Sequence, residues 1–270
     1  MEQHKTLQFE GHTIHYRDEG RENTSVVVLL HGYLQNLDVW SSYTLSYMHE
    51  LRVITIDLPG HGYTDTCAST HTMEYMARVV KAVLDNAGVF SCVMVGHSMG
   101  GYVSLAFAEA YPYMLKGMAL LSSHAMCDDE ARRSMRREAV RELSTSKANY
   151  IISFVQSLFD NRSRQHLGDE IQSLKDMSLE TKQEGAIACM LGMMDRVDRI
   201  SVLQRFDKPI YFVYGKNDTR IAVEMGLSQA LEAQNAEILL LSDVAHMPHI
   251  EAREYLKPRL LNFIEMCYGR

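Results

Sequence analysis

Val95-Gly96-His97-Ser98-Met99-Gly100-Gly101 is the stretch on which the reading of this chain turns. It follows an apolar run, Ser91-Cys-Val-Met-Val95, and leads into a helix-forming run from Tyr102 to Ala110. The residues fit G-x-S-x-G between a strand and a helix, the setting of a nucleophile elbow. A serine at the apex of so tight a turn sits in a strained backbone, and bulky residues at 96 or 100 would block the turn. The helix behind it points free N–H groups and its positive dipole end at any oxyanion formed beside Ser98. The plainer reading is a structural serine in a glycine-rich turn. The flanking strand, the helix and the added Gly101 weigh against it.

Outward from this turn the chain alternates. Continuous apolar, β-branched runs read as strands buried on both faces of a sheet: 25–30, 52–57, 91–95, 116–121, 209–214 and 236–241. Helical stretches lie between them, at about 37–48, 71–87, 99–111, 220–233 and 249–267. A hairpin around Glu10-Gly11 precedes the series, with Leu7 and Phe9 before the turn and Ile14 and Tyr16 after it. Such alternation predicts an α/β fold with a mostly parallel sheet covered by helices. It breaks once. From about 125 to 200 the periodicity is helical only, which predicts a helical cap (125–199) inserted into a core of 1–124 and 200–270.

A serine nucleophile needs a base and an orienting acid, which follow it in the order acid then base. His246 lies in Leu241-Ser-Asp-Val-Ala-His246-Met-Pro-His249, just past the last strand. His249 is its rival, but position 246 is nearer the strand end and therefore the elbow. The His-x-x-His spacing lacks the i,i+4 register and glutamate of a zinc motif. Asp218, in Tyr214-Gly-Lys-Asn-Asp218, ends a strand and is placed to accept the Nδ1 proton of His246. Its plainer role is a helix N-cap. Asp195 and Asp198 are alternative acids in a charged helical stretch, and Asp243 reads as a turn residue. His31-Gly32-Tyr33 follows an early strand, where a close backbone supplies an oxyanion donor. The N–H groups of Tyr33 and Met99 are the expected oxyanion hole, with His31 structural.

These elements together (His31-Gly32, Asp57-Leu-Pro-Gly60-His61-Gly62, Gly96 to Gly101, Gly215-Lys-Asn-Asp218 and Ala245-His246) resemble the α/β-hydrolase family along nearly the whole chain. The resemblance implies an eight-stranded sheet with strand 2 antiparallel and a lid of helices after strand 6. It implies an architectural role for the Asp57–Gly62 loop. Ser98 stands where the dehalogenase and epoxide hydrolase branches carry an aspartate, so those branches are disfavoured.

The expected activity is hydrolysis of a small to medium carboxylic ester or lactone through Ser98, His246 and Asp218, with no metal or organic cofactor. A lyase or a C–C bond hydrolase would carry the same three residues, and arginines in the pocket would support that alternative. A slow-turnover ligand receptor is a third class, against which the retention of all these residues speaks. Met126, Met135, Met177, Met190, Met193 and Met194, with Trp40, Phe154 and Phe159, suggest an apolar pocket. For each methionine, ordinary packing in the lid is the competing reading.

The 270 residues suit one large domain with an insertion or at most two small ones. A net charge of −7 argues against a nucleic-acid surface. Arg132, Arg133, Arg136, Arg137 and Arg141 are interleaved with Glu130, Glu138 and Glu142, which predicts i,i+4 ion pairs on a solvated helix face. The five cysteines are odd in number and scattered, so neither a disulfide framework nor a zinc knuckle is expected. No stretch reads as a signal peptide or a membrane span, which makes the cytoplasm the expected location. The partner is a small-molecule substrate, and oligomeric state is open.

Overall fold

The computed structural model describes residues 4–270. Glu10 and Gly11 both take positive φ (50° and 84°) and turn the chain between β1 (His4–Phe9) and β2 (His12–Glu19). Two left-handed residues in succession match the right-handed twist of a hairpin. The remaining strands are β3 (Val26–Leu30), β4 (Arg52–Ile56), β5 (Cys92–His97), β6 (Leu115–Leu121), β7 (Ile210–Gly215) and β8 (Ala236–Leu241). They form one eight-stranded sheet in the order β1-β2-β4-β3-β5-β6-β7-β8. Strand β2 runs antiparallel to both neighbours, and every other pairing is parallel. The fold is that of an α/β hydrolase.

Helices cover both faces. In chain order they are α1 (Ser41–Tyr47), α2 (Met73–Asn86), α3 (Met99–Ala110), α4 (Glu130–Gln156), α5 (Ser163–His166) and α6 (Gly168–Glu180). Then follow α7 (Gln183–Met194), α8 (Ile200–Arg205), α9 (Val223–Ala230), α10 (Pro248–Glu251) and α11 (Arg253–Cys267). Successive residues of a strand point to opposite faces, so β3 feeds two cores. Val27 and Leu29 pack with Tyr43 and Tyr47 of α1 and Leu256, Leu260 and Phe263 of α11. Val28 and Leu30 pack with Met76, Val80 and Val83 of α2 and Val103 and Phe107 of α3. This double demand is why the strand is Val-Val-Val-Leu-Leu, buried throughout.

Strand β8 departs from that pattern. It pairs with β7 alone, and Ala236, Glu237 and Ile238 are exposed. An edge strand has no second neighbour, so its apolar run is only partly covered. Helix α9 starts at Val223, three residues later than expected, because residues 218–221 form a turn around the Asp218 carboxylate. The closing helix is also split: Ala252 (φ −125°) separates α10 from α11.

Between β6 and β7 the chain is helical. Leu143, Ile151, Ile171, Leu174, Ala186 and Met190 join the same core as α2 and α3. Helix α4 is broken at Ser146 (φ −151°, ψ 65°), so its first half is directed independently of its second. Among the described residues no helix is long and apolar enough to cross a membrane. The five thiols are unpaired, and burial pushes that of Cys92 up to about 12.

Candidate active site

Ser98 caps α3 with φ 50° and ψ −112°, a left-handed conformation that a non-glycine residue holds only at a cost of about 1–3 kcal/mol. Three bonds secure it. The Ser98 N–H donates to Leu121 O at 2.9 Å, and Ser98 O accepts from Gly101 N and from Ser123 Oγ, both at 2.9 Å. The glycines are needed for close approach: a Cβ on Gly96 would collide with the Gly100 carbonyl, and one on Gly100 with the Leu30 carbonyl. The turn therefore thrusts the Ser98 hydroxyl beyond the ends of β3 and β5.

Two loops meet it there. His246 follows β8, and its Nε2 lies 3.0 Å from Ser98 Oγ. Its Nδ1 lies 2.8 Å from Asp218 Oδ2, in the loop after β7. With the proton on Nδ1, the ring donates to the carboxylate and accepts from the hydroxyl. Asp218 does not cap the following helix, which starts at Val223 with Ala222 in the cap position; its second oxygen instead holds the turn before that helix. Oδ1 accepts from the N–H groups of Arg220 (2.8 Å) and Ile221 (3.2 Å), which leaves Oδ2 aimed at the ring. Burial alone would raise this carboxyl; the His246 ring and the two N–H donors outweigh it and hold the pKa below the ordinary value. Asp218 is thus ionised at neutral pH.

His249 goes elsewhere. Its ring is buried against Trp40 and His97, and neither nitrogen has a hydrogen-bond partner among the described residues. Asp198 accepts from Ile200 N, Asp195 ends α7, and Asp243 sits at φ 58° in a turn, paired with Arg162. None of these reaches His246.

Tyr33 lines the same cavity as Ser98, Met99 follows the serine directly, and neither N–H has an acceptor among the described residues. The loop of Tyr33 is tied down on both sides. His31 Nε2 accepts from Leu58 N (2.9 Å), Gly32 N donates to Gln35 Oε1 (2.9 Å), and Leu34 N donates to His61 Nε2 (3.1 Å). Asp57 accepts from Leu37 N and Tyr63 N and bonds to His15, so the Asp57–Gly62 loop acts as an anchor for this region.

Glu251 went unrecognised in the sequence. Its Oε1 accepts from Ala245 N and Met247 N, both at 3.0 Å, on either side of His246, and its Oε2 accepts from Asp160 N at 2.8 Å. Burial raises its pKa against those bonds. An acidic residue in the first turn after a histidine loop was the available signal.

A cavity of about 680 Å³ opens over Ser98 and His246. Tyr33, Tyr102, Tyr150, Phe154, Met190 and Met193 line it, with Met135 nearer the rim. Trp40 and Phe159 do not; both are filled into the core. The arginine expectation also needs correction. Arg132 and Arg136 line the cavity, joined by Arg220. The exposed ion pairs of α4 are not spaced i,i+4 either: Arg141 meets Glu138 and Arg137 meets Glu130. Arg136 instead meets the buried carboxylate of Asp128, ahead of the helix.

This geometry and fold match a known family. Residues 25–252 fit the model of the alpha/beta hydrolase fold, so the chain belongs to that family and is an enzyme. It is 29% identical over 261 residues to the dihydrolipoyllysine-residue acetyltransferase component of the acetoin cleaving system of Pseudomonas putida, covering 94% of this chain and 67% of that protein. It is 25% identical over 266 residues to the 2-hydroxy-6-oxononadienedioate/2-hydroxy-6-oxononatrienedioate hydrolase of Paraburkholderia phymatum, covering 93% and 90%. Among solved structures, a malate-bound thermophilic esterase from Thermogutta terrifontis superposes with a TM-score of 0.91 at 25% identity, over 98% of this chain and 99% of that one.

Proposed function

We propose that the chain is a serine hydrolase that cleaves a small to medium carboxylic ester or lactone by way of an acyl-enzyme on Ser98. One observation carries this reading: the unbroken relay from Ser98 Oγ through His246 (3.0 Å) to a buried Asp218 (2.8 Å) at the floor of a cavity. In it, His246 takes the Ser98 proton as Oγ attacks the scissile carbonyl. The same proton then passes to the departing alcohol oxygen. The tetrahedral oxyanion accepts from Tyr33 N–H and Met99 N–H, each worth about 3 kcal/mol in a water-poor site. Water repeats the sequence on the acyl-enzyme, returning Ser98 and releasing the acid. Residues 125–199 act as the lid, since α4 and α7 supply the outer wall of the cavity. The esterase likeness supports ester chemistry.

A second reading rests on the same three residues: hydrolysis of a carbon–carbon bond beside a ketone. The cavity arginines favour it, as does the relative that hydrolyses 2-hydroxy-6-oxononadienedioate.

Short and medium-chain p-nitrophenyl esters, with fluorophosphonate labelling in parallel, separate these. Ester turnover that falls by about 10⁴-fold or more in Ser98→Ala supports the esterase. Labelling of Ser98 without ester turnover moves the reading to carbon–carbon cleavage. Turnover that survives Ser98→Ala would sink both.

A further inference from the structure

The wall of the cavity formed by the helical segment and the loop after β7 carries three arginines, and the buried carboxylates near them are already committed. Arg132, Arg136 and Arg220 line it, and Arg196 stands behind Arg136. Asp128 is shared between Arg136 and Arg196, while Asp218 is committed to the His246 ring and two N–H groups. Glu138 and Glu142 also line the cavity, but both are exposed, and Glu138 already pairs with Arg141. Screening by water leaves such exposed carboxylates little hold on the half-buried arginines.

The guanidiniums also keep donors to spare. Arg136 spends Nε on Asp128, but its Nη1 meets only the sulfurs of Met190 (3.5 Å) and Met193 (3.6 Å), which are weak acceptors. Arg220 gives one Nη to Ser157 Oγ, lies 4.4 Å over the Phe154 ring, and has a buried Nε with no acceptor. His124 testifies to the local field. Its Nε2 accepts from both Arg132 (3.2 Å) and Arg196 (3.1 Å), and burial together with those arginines drives its pKa down to about 2. Burial and the charge of Arg136 likewise pull Arg220 below its ordinary value, against the opposing effect of Tyr150 and Asp218. Partly desolvated cations with unspent donors are costly unless an anion completes them.

We infer that this wall is a carboxylate-binding subsite, so that the ester or lactone taken by Ser98 carries an ionised carboxyl group seated between Arg136 and Arg220. The inference rests on the hydrolytic reading of Ser98 and adds its substrate class. The planar fork of a guanidinium matches a carboxylate in a two-bond geometry, which a lysine could not offer. Tyr150, Phe154 and the two methionines supply apolar contact for the carbon chain between the two ends. A purely apolar acyl group would fill the same space and leave the cations unpaired. The wall is built for a substrate with one charged end.

The test compares matched esters by proton release at constant pH. Monoethyl glutarate is set against ethyl valerate, and O-butyrylglycolate against propyl butyrate, so that the carboxylate lies on the acyl or the alcohol side. Wild type should favour the charged ester by tenfold or more in kcat/KM in at least one pair. Arg136→Gln and Arg220→Gln should each cut that preference about tenfold, and Arg136→Lys should keep a larger share of it than Arg136→Gln. Arg137→Gln, on the exposed face of α4, should leave it as in wild type. No preference in either pair, or a preference that survives both glutamine variants, overturns the inference. Circular dichroism checks each variant for folding, and Arg220→Gln decides alone should Arg136→Gln unfold. If no ester is turned over, calorimetry with glutarate decides. Binding that weakens tenfold in the two variants keeps the subsite and sinks only the hydrolytic reading, whereas no binding to wild type overturns the subsite.

Discussion

The cavity has two walls of different origin. One is made by the ends of β3, β5, β7 and β8, and it holds Ser98, His246, Asp218 and the N–H groups of Tyr33 and Met99. Each of these residues sits within a few positions of a strand end, so its place follows from the sheet. The other wall comes from α4 and α7 with the Arg220 loop, and it is held by ion pairs, methionines and ring contacts. On the proposed function, the difference separates chemistry from selectivity. The strand ends are fixed by the hydrogen bonds of the sheet, on both sides for β3, β5 and β7 and on one for β8, whereas a helix packed across the opening is free to change its inner face without disturbing the sheet.

If that separation is right, damage to the strand-end wall removes turnover for every substrate. Asp218→Asn is the severest case after loss of the serine. An amide at 218 presents either a donor or a weaker acceptor to Nδ1, so the ring loses both its tautomer and the charge that stabilises it once protonated. A drop in kcat on the order of 10⁴-fold is expected, equal for charged and neutral esters. A drop confined to one class would break the comparison. Arg136→Gln should do the reverse: a change of about tenfold in substrate preference, with Ser98 still labelled by fluorophosphonate.

The same division explains what could be read in advance. Ser98 was legible because the pattern is local: five residues, a strand before and a helix after. His246 and Asp218 followed from chain order and strand ends. The inner face of α4 was hidden for a physical reason. Residues 130–142 place arginine, glutamate and alanine all around the helix, so no apolar stripe says which side turns inward. The partner of Arg136 is Asp128, outside the helix and eight residues away, a spacing that helix rules do not cover. Strand β8 was misjudged in burial because Ala-Glu-Ile-Leu-Leu-Leu is apolar whether central or at an edge, and only the strand order decides.

Glu251 joins the walls, and its loss should cost less. One carboxylate fixes the two peptide N–H groups beside His246 and a third at Asp160, beyond the end of α4. Glu251→Ala leaves three donors without their acceptor, each worth roughly 1 kcal/mol in net terms. The His246 loop loosens, with kcat expected to fall by about tenfold and KM to change little, because the helical wall is not altered. Thermal unfolding should move down at the same time. Equal effects on kcat for charged and neutral esters would place Glu251 with the strand-end wall; a change in preference would place it with the helices.

The smallest effect on turnover is expected at His249, where the consequence is for stability instead. Its ring is fully buried on Trp40 beside His97, without a hydrogen bond to either nitrogen among the described residues. Burial, reinforced by His246 and Arg253, lowers its pKa from the ordinary 6.5 to about 3. The folded state therefore refuses a proton that the unfolded chain accepts below pH 6.5. More protons on the unfolded chain mean that stability rises with pH, so this contribution is complete above pH 6.5 and is lost as pH falls towards 3. From pH 7 to pH 5 the loss from this one ring is about 2 kcal/mol. Phenylalanine keeps the ring packing and cannot titrate. Urea titrations of wild type and His249→Phe at pH 7 and pH 5 should show a pH difference about 2 kcal/mol smaller in the variant. Some dependence will remain, since burial lowers His71 to about 4 as well. Turnover of neutral esters at pH 7 should stay within about threefold of wild type, because the His97 ring that bonds to the His246 carbonyl at 2.8 Å is left in place. An unchanged pH difference would mean that His249 is solvated in the folded state, and that the packing beneath the strand-end wall is looser than its hydrogen bonds imply.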